Sequence, residues 1–290
     1  MGRPARQPAK FPAAGRPGTG LLYRDGMTPL SYERCCAEIV AQTEQLRATI
    51  EGADLTVAVP SCPGWNVGQL LRHLGRVQRW AAGVVRTRAA GPVPEPADAR
   101  ELSAYAREDP AVVGPWLAEG AADLAGALRA AAPDTPLWTP VPGGTASFYA
   151  RRFTHETAMH RADAALALGE GYQLDTEVAI DGIDEWMQLG SLPVLFEMQP
   201  QLRELLGPGR TLHLHATDTA PEAAAEWLVD LTGDAITWRR AHEKAAVAVR
   251  GPVTGLLLVI YKRRPARSPG IEVIGDENLL DFWLERVSFG

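Results

Sequence analysis

The sequence predicts a helical N-terminal half followed by a small C-terminal α+β domain. Two observations carry this. Apolar residues recur at three- and four-residue spacing between about residues 31 and 189, and from residue 211 the period changes to two. A third is size. The chain has 290 residues, 46 % of them hydrophobic and 22 % charged, which suffices for two packed cores.

The elements follow in order. Residues 1–26 carry Arg3, Arg6, Lys10, Arg16 and Arg24 against Asp25 alone, with Pro4, Pro8, Pro12 and Pro17 and no apolar period. They are expected to form a disordered basic tail, and Met27 opens the first periodic segment. A first helix is expected from Ser31 to about Ile50, on Cys36, Ile39, Val40, Leu46 and Ile50. The turn cluster Ser61-Cys62-Pro63-Gly64 precedes Asn66, an N-cap whose partner Gln69 completes a capping box. The helix after it has an apolar stripe of Val67, Leu70, Leu71, Leu74, Val77, Ala81 and Val84, and His73 lies on that stripe. Further helices are expected at about 116–131, 147–168 and 176–189, separated by proline-rich loops at 91–96 and 133–144. Short connections of this kind favour an antiparallel bundle of four or five helices.

The alternating run from Thr211 to Thr217 reads as a strand, and 226–230, 235–238, 245–250 and 271–274 read as four more. Pro252 opens a helix to about Tyr261, and Asp276 caps a last one to about Arg286. The expected division is therefore a tail at 1–26, a bundle at 27–207 and an α+β domain at 208–290.

Composition excludes several classes. The net charge of −6 argues against wholesale nucleic-acid binding. No apolar run approaches the ~20 residues that a bilayer crossing needs. Three cysteines, two of them adjacent (Cys35, Cys36, Cys62), are a poor disulfide framework and lack the C-x-x-C of a zinc ribbon, so a reducing cytoplasm is expected.

The chemistry concentrates in His155-Glu156-Thr157-Ala158-Met159-His160. Glu156 and His160 are four apart and project from one helix face. His155 is five from His160 and points away, so this is not the metalloprotease H-E-x-x-H. A carboxylate and an imidazole at this spacing can share a metal, and His73 is the obvious third ligand. Two histidines and a carboxylate leave coordination positions open, a catalytic pattern. The same residues also fit a helix-surface pair and a hydrogen-bonded core histidine, and spacing alone leaves both readings open.

The segment Val59-Pro60-Ser61-Cys62-Pro63-Gly64-Trp65-Asn66-Val67-Gly68-Gln69-Leu70-Leu71-Arg72-His73-Leu74-Gly75, continuing to Trp80, resembles the start of the mycothiol-dependent maleylpyruvate isomerase family. That family belongs to the DinB-like metal-binding helical bundles. A second signature, an Arg followed by E-x-x-x-H-R-x-D, matches Arg152, Glu156, His160, Arg161 and Asp163, and the segments Leu212 to Asp218 and Gly275 to Trp283 are similar to the family's C-terminal domain. The resemblance implies a DinB-like bundle with a small α+β domain, and a divalent metal, usually zinc, held by His73, Glu156 and His160. It implies mycothiol as thiol cosubstrate and a small electrophilic substrate. Zinc stabilises a thiolate near neutral pH, and the thiolate is the nucleophile. Adding to an alkene and leaving after rotation is isomerisation; remaining attached is S-transfer.

Around the implied ligands, Arg152 and Arg151 are candidates for binding a carboxylate or the thiol, against a surface-pair reading with Asp163 or Glu170. Trp80, seven residues after His73, is a candidate pocket wall, with core packing the favoured reading. Asp163 and Arg161 are candidates for supporting the ligands, with an arginine the expected partner of Asp163. Cys62 is expected to serve its turn, and His155 to be exposed or to support a ligand. His213 and His215 share a strand face and could add to a metal, yet two strand histidines are expected to be surface or interface groups. The rival readings are a non-catalytic metal-binding or regulatory protein and a thiol-independent enzyme using the same pocket.

Overall fold

The computed structural model describes residues 29–96, 102–141 and 143–287. The segment 1–26, expected to be a disordered tail, lies outside the described residues. Helix α1 (Tyr32–Ile50) is capped by the Ser31 side chain, which accepts from the Arg34 amide. Helix α2 (Val67–Thr87) opens on the expected capping box, with Asn66 and Gln69 each accepting the other's backbone N–H. Helix α3 (Pro110–Ala130) begins earlier than the periodicity suggests. Asp109 caps it and Pro110 occupies its first turn, where the missing N–H costs nothing.

Helix α4 (Ala146–Ala167) is buried almost all round, polar residues included. It packs against α1, α2 and α3 on one side and against α5 (Thr176–Gly190) on another. The bundle rests on the apolar stripe of α2, where Leu70, Leu71 and Leu74 are fully buried; each such side chain contributes roughly 1.5–3 kcal/mol. Close approach of α3 requires Gly75, because a Cβ there would lie 2.2 Å from the Trp116 ring.

Beyond α5 the sequence reading missed two short pieces, α6 (Val194–Met198) and a 3₁₀ segment Pro200–Leu205. Both are too short to show a helical period. The five-stranded sheet follows: β1 (Thr211–Ala216), β2 (Glu226–Asp230), β3 (Thr237–Arg240), β4 (Val247–Gly251) and β5 (Glu272–Gly275), in the spatial order β3-β2-β1-β4-β5. β1 and β4 run parallel and the other pairs antiparallel, so the sheet is mixed. β3 lies two residues later than expected, since the ladder pairs Asp230 with Thr237 and Trp227 with Arg240. Helix α7 (Val253–Ile260) crosses from β4 to β5, and α8 (Glu277–Arg286), capped by Asp276, closes the fold.

One face of the sheet forms an apolar cluster with α5, α7 and α8, and this cluster already includes Ala158, Met159 and Ala162 of α4. Tyr149, Ala150, Phe153 and Ala164 of the same helix belong to the bundle's cluster instead. The second core thus begins well before residue 208, and α4 is shared by both. No helix among the described residues is long and apolar enough to cross a membrane.

Candidate metal centre

His73 on α2 and Glu156 and His160 on α4 come together, each offering one ligand atom, all within 4.8 Å of one another. The two imidazoles meet edge to face with centroids 5.5 Å apart. Glu156 Oε1 is 3.1 Å from His160 Nε2, one helical turn away. The other ring nitrogen, Nδ1, is 3.0 Å from Asp163 Oδ2. Asp163 therefore fixes which nitrogen His160 turns toward Glu156 and His73, the arrangement that a metal-ligating histidine usually has.

Asp163 is fully buried and strongly held. Arg263, just past α7, grips it with two hydrogen bonds of 2.8 and 3.0 Å, and Ser61 donates to it from the turn before α2. The expected arginine partner exists, but it comes from the C-terminal half rather than from α4. A carboxylate alone on its own helix would not have revealed this, because Arg263 lies 100 residues away.

The electrostatics follow from these contacts. Burial acts to raise the Glu156 and Asp163 carboxyls, yet both are held well below the usual carboxylate range. His160 does this to each, helped by Arg152 and His73 at Glu156 and by Arg263 at Asp163. Burial acts to lower His160, but its hydrogen bonds to Asp163 and Glu156 outweigh that and raise it to about 9.

The donor set fits a divalent ion. Two imidazoles and one carboxylate suit zinc and leave a position open for a further ligand. His73 and His160 are buried, whereas the Glu156 side chain is 32 % exposed, so access is on the Glu156 side. A competing set, Cys62 with His160 and Asp163, is equally close. It fits less well: the Asp163 oxygens are already engaged, and burial, with Asp163 adding to it, pushes the Cys62 thiol up to about 12. Cys62 stays protonated at neutral pH and serves its turn.

The other candidates divide. Arg152 pairs with Glu185 on α5 at 2.6 Å and reaches Glu156 at 3.5 Å, so it borders the triad. Among the described residues, no ion pair joins Arg152 or Arg161 to Asp163 or Glu170. Arg151 is buried and bound to Asp181 and Gln188, tying α4 to α5. Arg161 lies over the Tyr172 ring and donates to Gln42. Trp80 packs edge-on against Trp138 and Tyr149 in the bundle core. The ring against His73 is instead Trp65, at 4.9 Å. Trp65 stands in the turn motif already singled out, but only the folded loop brings it back over α2. His155 is not exposed: it is 2 % accessible and lies 2.7 Å from Asp181.

Tyr261 at the end of α7 adds a group that sequence reasoning missed. It stands beside Arg152, and the hydroxyl and the guanidinium interact with each other while both are buried. An apolar cavity lined by Trp186, Trp238 and Trp283 lies in the core of the sheet and shares no residue with the triad.

Two family profiles match the chain. The one described as "Mycothiol maleylpyruvate isomerase N-terminal domain" covers residues 36–165, and the one described as "MDMPI C-terminal domain" covers 177–282. Among solved structures, the crystal structure of a mycothiol-dependent maleylpyruvate isomerase superposes with a TM-score of 0.57 at 17 % identity, over 85 % of this chain and 95 % of that one. A histidine-to-alanine mutant of such an enzyme superposes with a TM-score of 0.58 at 17 % identity over the same shares. No curated protein matches in sequence. With both halves matched in order along one chain, the protein belongs to the mycothiol-dependent maleylpyruvate isomerase family.

Proposed function

We propose that this protein is a metal-dependent enzyme that uses mycothiol to isomerise a small unsaturated acid, or to transfer the thiol to it. The observation that carries the reading is the convergence of His73, Glu156 and His160, with one coordination position left open. A zinc ion held there would lower the pKa of a bound thiol, making it a nucleophile at neutral pH. The protein's own thiols do not compete, since Cys62 is held protonated and Cys35 and Cys36 are buried.

The chain's own residues have separable tasks. Asp163, anchored by Arg263 and Ser61, holds His160 in one orientation. Arg152, kept charged between Glu185 and Glu156 with the Tyr261 hydroxyl beside it, is the cation that would bind a substrate carboxylate. Trp65 covers His73 and keeps water from that side. The partners are then a small-molecule acid and a low-molecular-weight thiol, and a thiol-dependent reaction with three free cysteines suits a reducing cytoplasm.

The test combines metal content and turnover on protein purified without a histidine tag. Elemental mass spectrometry compares wild type with His73→Ala, and a cis-to-trans assay with maleylpyruvate is run with and without mycothiol. The reading expects one equivalent of zinc fewer in the variant and a mycothiol-dependent rate that falls to background. Equal metal content in both proteins would sink the site. Turnover without mycothiol would favour a thiol-independent enzyme instead.

A further inference from the structure

The chain has six histidines. Two face each other in the bundle, and His155 is buried against Asp181. The remaining three meet on the sheet, on the face turned away from its apolar cluster. His213 and His215 are two apart on β1 and so share that face. Glu226 on β2 stands directly opposite His215 in the ladder. His242 follows β3, the next strand over.

We propose that His213, His215, Glu226 and His242 form a second metal site, one that takes zinc or a similar borderline divalent ion through four protein ligands. Their ligand atoms all lie within 4.8 Å of one another. His213 Nε2, His215 Nδ1 and His242 Nδ1 lie 2.9, 2.9 and 2.7 Å from the same oxygen, Oε2 of Glu226. The three rings are spaced evenly, with every pair of centroids 5.8 Å apart.

A hydrogen-bonded knot explains this poorly. One carboxylate oxygen has about two lone-pair directions and here faces three ring nitrogens. The consequence is visible at His213, which is 6 % exposed and whose Nε2 is buried with no aligned hydrogen-bond partner. A buried polar atom left so is costly. A cation at the centre resolves the conflict, because each ring then turns a lone pair inward and Glu226 supplies the negative charge. The neighbouring cations leave that charge available: Arg239 pairs with Glu243, and Arg250 with Glu272. Four protein ligands close the coordination sphere, which is the pattern of a structural zinc. Such an ion would tie β1 and β2 to the segment after β3. His213 and His215 are then neither surface nor interface groups, and Glu226 and His242 complete a set that strand spacing alone did not reveal.

The test uses full-length, untagged protein stripped with a chelator and reloaded with zinc. His242 is 78 % exposed, so His242→Ala removes a ligand without opening the core. Wild type is expected to hold one equivalent more than His242→Ala, whatever the bundle holds. Glu226→Gln, nearly isosteric, is expected to weaken uptake at this site by more than the about 10–100-fold that outer-shell changes cost. In a His73→Ala background, loading with cobalt is expected to give the visible bands of a four-coordinate ion, and His242→Ala abolishes them. Equal zinc in wild type and His242→Ala, with no cobalt bands, overturns the proposal and leaves a carboxylate-centred hydrogen-bond cluster.

Discussion

The bundle triad and the sheet cluster draw on the same donor types, imidazole and carboxylate, and differ in number and surroundings. The triad has two histidines and a glutamate, an exposed side at Glu156, and Arg152 with Tyr261 at its border. The sheet cluster has three histidines and a glutamate, with neighbouring arginines already paired. On the two proposed readings, ligand count separates a centre that accepts a further ligand from one that holds strands together. The supports differ as well. His160 is oriented by a buried carboxylate that is itself anchored from the other half of the chain, whereas strand register places His213, His215 and Glu226, and His242 comes from the segment after β3.

The largest expected effect breaks the comparison on its catalytic side. His160→Ala removes a ligand of the triad, and the mycothiol-dependent rate should fall to background while one equivalent of metal is lost. Arg263→Ala comes next. It leaves Asp163 charged, buried and short of its main partner, and urea unfolding should show a loss of about 3–5 kcal/mol. The sheet site sharpens the contrast through stability. At a free zinc concentration 100 times Kd, one bound ion contributes about 2.7 kcal/mol, and thermal unfolding of His242→Ala should lack that increment.

A smaller effect appears in acid. The Asp163 carboxyl is depressed in the folded protein, so its contribution is present above the ordinary carboxylate value of about 4 and is lost as pH falls through the folded value. Asp163→Asn should therefore unfold at lower urea near neutrality but lose less stability on acidification than wild type. The smallest effect is at Cys62. Its thiol is protonated at neutral pH, and Cys62→Ser should leave the mycothiol-dependent rate within about twofold, a ratio inside the usual spread of surface-level changes of about 0.5 kcal/mol.

Much of the local structure was legible because it is encoded locally. The capping box at Asn66 and Gln69 fixes the start of α2, and the apolar stripe fixes which face carries His73. The four-residue spacing of Glu156 and His160 alone puts both on one face of α4. The expected start of α3 missed because proline and aspartate set it rather than apolar period. Trp80 packs in the core, the favoured of its two readings: seven residues on a helix keeps a side chain on roughly the same face but says nothing of which neighbour that face meets farther along. In the bundle that neighbour is Trp138.

The sequence by itself determined the helical and strand periods, the caps, the helix face shared by Glu156 and His160, and the strand face shared by His213 and His215. These depend on residues within one or two turns, or two positions, of each other, where backbone geometry fixes direction. Only the tertiary structure decided that Arg263 reaches Asp163, that Trp65 folds over His73, that Tyr261 stands beside Arg152, and that Glu226 and His242 converge on the strand histidines. Those partners are set by helix packing and strand register between distant segments, and local periodicity carries no information about either.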